Sequence, residues 1–167
     1  IAILDEDRLQ YVGSMVLGLN DALVELTGTL AGLSFALQNN RLVALSGLIT
    51  GISATLSMAS SEYLSARSEG SADAVKSALY TGIMYIFAVV CLVLPYLLYP
   101  VHQYLAALLT MLLVVVGIIF AFTYYIAVAK DLPFRKRFVE MAAISLSVAV
   151  LSFVVGFIVK QLLGIDV

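Results

Sequence analysis

Five stretches of apolar residues dominate the chain, each long enough to cross a bilayer and each joined to the next by a short polar link. They run roughly over 12–37, 42–64, 78–99, 104–128 and 138–163. A helix crosses the hydrocarbon core with about 20 residues. Inside lipid every backbone N–H and C=O must find its partner within the span or in a closed barrel, so spans of this length are helices. The pattern predicts an all-α membrane protein of five transmembrane helices, with a short cytoplasmic lead-in over 1–11 and a transmembrane unit over 12–163. The spans take up most of the 167 residues and leave no length for a large soluble domain. Composition agrees: 62% of residues are hydrophobic and 12% charged, against about 45–50% and about 25% in soluble domains. No basic stripe suggests nucleic acid.

Five spans put the termini on opposite sides, and positive residues choose the sides. With the N-terminus inside, the inner side carries Arg8, Arg67, Lys76, Lys130, Arg135, Lys136 and Arg137; the outer side carries Arg41 and Lys160. The expected topology is therefore N-terminus cytoplasmic and C-terminus outside. Tyr96, Tyr99 and Tyr104 at the outer turn, and Tyr11, Tyr63, Tyr80, Tyr124 and Tyr125 near inner ends, read as the aromatic belt. The basic cluster from Lys130 to Arg137 is the topology signal, with anionic lipid as a secondary reading. Cys91, alone in an apolar span, reads as a small buried hydrophobe. Acidic Asp5, Glu6 and Asp7 precede a first span too long for a signal-peptide core.

Two carboxylates break the apolar pattern. Asp21 lies deep in the first span and Glu25 follows one helical turn later, so they share a face about 6 Å apart along the axis. A carboxylate at the middle of a membrane helix costs about 2.5–3.5 kcal/mol on insertion scales. No basic residue lies deep in any span to pair with them. Gly28 and Gly32 on the same helix, and Gly47 and Gly51 on the second, have the spacing that lets helices approach closely. On the second span Ser53, Ser57, Ser61 and Ser65 form a hydroxyl stripe, and Thr50, Ala54, Met58 and Glu62 form the next stripe over. The third and fourth spans have no charged interior residue and read as ordinary lipid-facing or packing helices.

If the first two helices pack antiparallel, Asp21 and Met58 come within reach of each other. Glu62 then lies at the inner mouth and Glu25 deeper. The four make a candidate metal path of Glu62, Met58 with Asp21, then Glu25. Carboxylates alone suit Ca²⁺ or Mg²⁺; a thioether beside them shifts preference toward Fe²⁺ or Mn²⁺. A two-fold homodimer would double every ligand. Like charges so close raise the affinity of some members for a proton, which supplies a route to metal/proton exchange.

At these residues the chain resembles the vacuolar iron transporter family. The matching motifs are Gly18-Leu-Asn20-Asp21 and the segment with Ala54, Ser57, Met58, Ala59, Glu62, Tyr63 and Ser65. The resemblance implies a homodimer whose first helices line the pathway. It also implies export of Fe²⁺, sometimes Mn²⁺, from the cytosol, driven by protons. By matching motif, the membrane aspartate falls on Asp21 and the membrane methionine on Met58. Two departures stand out. Plant-type members have a Glu- and Met-rich helical insert where this chain has only residues 66–77, and Ala22 replaces the usual glycine. Glu25 is similar to the branch with a ferritin-like domain before the first helix. Since the chain opens on Ile1 rather than Met, such a domain is an expected upstream partner. No permanently bound cofactor is expected. The resemblance places the chain in the inner membrane of a prokaryote or the vacuolar membrane of a eukaryote.

Two other classes compete. A membrane anchor or assembly module for a ferritin-like domain would use the small-residue spacings but leaves Asp21 and Glu25 unexplained. An intramembrane hydrolase would need a nucleophile–base pair or a metal-bound water. The one histidine, His102, lies at an outer turn far from Asp21, so no enzyme is expected.

Overall fold

The computed structural model describes the backbone over residues 2–130 and 133–164, and side chains over 11–128 and 133–164. The described residues form five helices and no strand: α1 (Ala2–Leu37), α2 (Asn40–Ser68), α3 (Ala74–Leu98), α4 (Tyr104–Lys130) and α5 (Phe134–Leu163). Each contains a stretch apolar and long enough to cross a membrane. The chain is an integral, multi-pass membrane protein. The expected lead-in is helical from Ala2 onward, continuous with the first span. The side chains of Asp5, Glu6, Asp7, Arg8 and Lys130 fall outside the described residues.

The links are tight because residues at the helix ends take up the free backbone groups. Asn39 caps α2, its side-chain oxygen accepting from the amides of Arg41 at 3.0 Å and Leu42 at 3.2 Å. Gln38, with φ 47°, adopts the left-handed conformation that ends α1. The α1–α2 and α3–α4 turns are tied together: Asn40 donates its backbone amide to Val101 O and its side-chain amide to Pro100 O. At the other face Gly70 (φ 77°) closes the turn after α2. Pro133 precedes the first turn of α5, so Arg135, Lys136 and Arg137 lie on that helix rather than in the link.

Glycines set the helix seams. A Cβ on Gly51 would meet Val89 Cγ1 at 2.5 Å, and one on Gly47 would meet Val93 Cγ2 at 3.3 Å, so α2 packs antiparallel on α3. Gly28 faces Val148 and Ser152, and Gly32 faces Ser152 and Gly156, so α1 runs parallel to α5 in close contact. Both small-residue spacings thus act as the sequence predicts. Lys160 turns back to place its ammonium 5.8 Å from the centre of the Phe35 ring, a cation–π contact across the same seam. The core gathers Leu19, Leu23, Leu26 and Leu30 of α1 with Tyr85, Val89, Leu92 and Tyr96 of α3, and with Met111 and Ile119 of α4.

Of the two roles expected for α3, lipid-facing or packing, it fills the second: it packs on α1, α2 and α4. One expectation needs correction. Tyr96, read as a belt residue, is buried, its hydroxyl 2.8 Å from that of Ser34. A buried phenol in an apolar span needs a partner, and a serine one helix away supplies it.

Candidate metal pathway

One hydrogen-bonded pair and one close contact fix how α1 faces α2. Toward the start of α1's span Ser14, buried, donates to Glu62 Oε1 at 2.6 Å. Toward the end of α1 Gly47 closes on Leu30. These contacts set α1 and α2 antiparallel, with Asp21 level with Thr55 and Met58 level with Gly18. Asp21 and Met58 are therefore offset by about three residues, or roughly 4.5 Å along the axis. The major partner of α2 is nevertheless α3, and those of α1 are α5 and α3.

Burial separates the faces of α1. Leu19, Ala22, Leu23, Leu26 and Leu30 point into the core. Gly13, Leu17, Asp21 and Glu25, at a four-residue stride, are uncovered by the rest of the protomer. The same is true of Ser53, Ser57, Ser61 and Ser65 on α2, while Met58 and Glu62 are half-buried. Met58 packs against the apolar core. Two carboxylates and four hydroxyls thus sit on the outside of a single protomer, within helices that cross a membrane.

Glu25 is tethered. Tyr85 of α3, itself fully buried, donates its hydroxyl to Glu25 Oε2 at 2.7 Å. Asp21 has no hydrogen-bond or ion-pair partner among the described residues. Among those residues no group of three or more His, Cys, Asp or Glu side chains converges in a way that could hold a metal ion. Within one protomer the carboxylates come as a pair on α1 and a separate Glu62 on α2.

Residues 12–72 match the VIT family model. The matched VIT segment contains Asp21, Glu25, Met58 and Glu62 together, and it ends in the short link before α3, so the partner Tyr85 lies beyond it. No curated protein matches the chain. The VIT match bears out the resemblance read from the motifs around Asp21 and Met58.

Beyond the Ser14–Glu62 pair a second polar cluster joins α1 to the start of α3. Tyr11 donates to Asp73 Oδ2 at 2.9 Å, and Lys76 lies 3.1 Å from Asp73 Oδ1. The Tyr11 hydrogen bond, and then the Lys76 ammonium, hold the Asp73 carboxyl below the usual carboxylate range. Sequence reading missed both Tyr85 and this cluster. The one available signal for Tyr85 was a tyrosine in the middle of an apolar span, far from either interface.

Proposed function

We propose that the chain exports a divalent transition metal, Fe²⁺ or Mn²⁺, from the cytosol in exchange for protons, as a two-fold homodimer with its N-terminus in the cytoplasm. One observation carries the reading: Asp21 and Glu25 lie on a membrane-crossing helix, on a face that no helix of the same protomer covers. Left against lipid, each would cost about 2.5–3.5 kcal/mol. A second copy packed on this face removes both from lipid and brings four carboxylates together. It also makes up the ligand number that the described residues of one protomer do not reach. Asp21 and Met58 are the central ligands, Glu62 the inner mouth and Glu25 the next ligand outward. The VIT match over residues 12–72 supports transport as the class of function. The anchor reading loses its support, because the glycine spacings it would use for a partner are occupied inside the protomer by α3 and α5.

The test is metal uptake into proteoliposomes under a proton gradient. Asp21→Asn and Met58→Ala are expected to lower uptake of both metals strongly while leaving the protein folded. Uptake at the parental rate by both variants would remove these residues from the pathway.

A further inference from the structure

The tether on Glu25 comes from outside the segment that matches the family. Tyr85 is fully buried in the core, so its ring is fixed. Glu25 is uncovered and sits on three rotatable side-chain bonds. The hydrogen bond of 2.7 Å ties the mobile end of Glu25 to the immobile ring. We propose that Tyr85 is a positioning residue for the transported divalent cation. Its phenol engages one carboxylate oxygen of Glu25 and leaves Oε1 turned to the uncovered face as a single-oxygen ligand. This inference rests on Glu25 being part of the pathway.

The chemistry of the partner matters. A lysine or arginine would hold the carboxylate equally well but would cancel its charge and repel a cation. A phenol is neutral: it fixes the geometry and leaves the negative charge for the metal. Engaging one oxygen also opposes two-oxygen chelation, which would hold the cation too firmly for passage. Asp21, one turn inward, has no such tether among the described residues. The two carboxylates therefore differ, one free to follow the ion and one held.

The experiment uses the full chain in proteoliposomes, with Fe²⁺ and Mn²⁺ uptake measured over a range of metal concentration. Tyr85→Phe removes the hydroxyl and keeps the ring, so the core stays filled. A freed Glu25 must lose its rotamer freedom each time it binds, so KM is expected to rise about fivefold. The maximal rate should stay close to that of the parent. In the Glu25→Gln background, Tyr85→Phe should change KM no further, because the group through which it acts is gone. A purely structural role would instead lower the maximal rate and the amount of folded protein in both backgrounds. Parental KM for Tyr85→Phe, or an equal rise in both backgrounds, overturns the tether and leaves the proposed function standing. A parent chain that moves neither metal overturns both.

Discussion

The seam between α1 and α5 is close enough for a single methyl group to test. A Cβ added at Gly156 would lie 2.6 Å from Gly32 O and 3.2 Å from both Gly32 C and Cα. These are backbone atoms, so no side chain can swing aside. Ordinary contact begins at 3.4 Å, so the helices must part by close to an ångström at this level, or bend. Overpacking of this kind costs about 1–3 kcal/mol. For a chain of this length each kcal/mol moves the melting midpoint by about 2–4 °C. Gly156→Ala should therefore melt about 2–12 °C below the parent, read as loss of the monodisperse peak after heating in detergent. Gly117 on α4 supplies the control, because a Cβ there meets nothing within 4 Å. Gly117→Ala should match the parent or exceed it slightly. If Gly156→Ala melts with the Gly117→Ala control, the close α1–α5 crossing is wrong.

Two smaller perturbations probe the inner end. Ser14→Ala frees the Glu62 carboxylate from α1 and should destabilise by about 1.5 kcal/mol, the lower end for a hydrogen bond to a charged group because the pair is only part-buried. In chemical unfolding the effects of Ser14→Ala and Glu62→Gln should be strongly non-additive; simple addition would mean the two do not interact. Asp73 gives a pH test. Its carboxyl is held below the usual range by Tyr11 and Lys76, so its contribution is full above the unfolded carboxyl value of about 3.9 and is lost as pH falls through the lower folded value. The melting difference between the parent and Asp73→Asn should shrink on acidification through that window. A difference that persists unchanged would refute the assignment.

Much of the bundle was legible in the sequence because its signals are local. Span number followed from hydropathy and length, and the hydroxyl stripe of α2 from its four-residue stride. Gly28, Gly32, Gly47 and Gly51 announced close approaches by spacing alone. What they approach was not legible. The partners Ser152 and Gly156 lie on a helix that reads only as apolar, and nothing in its pattern points to α1. The misreading of Tyr96 has the same source. Tyr85 and Tyr96 reach Glu25 and Ser34 across about 60 residues of chain, and no periodicity connects them. The α5 helix begins at Phe134, a turn before the apolar run at Phe138, because Pro133 sits just ahead of its first turn.

The face of α1 that carries the carboxylates does not end with them. Asp21, Glu25, Gly28 and Gly32 follow one another at alternating steps of four and three, so they form one stripe along the helix. Its inner half, Asp21 and Glu25, is uncovered. Its outer half is sealed by Ser152 and Gly156 of α5. At Gly32 and Gly156 the two backbones meet directly, and at Gly28 the side chains of Val148 and Ser152 close the gap. Under the proposed function a cation that has reached Glu25 meets this seam next. Such a seam offers a cation little beyond the Ser152 hydroxyl, since the carbonyl oxygens of α1 and α5 are engaged within their own helices. Passage outward then requires α5 to move away from Gly28 and Gly32. The same two glycines that make the bundle compact would in that case be the barrier, and Tyr85 holds the last carboxylate before it.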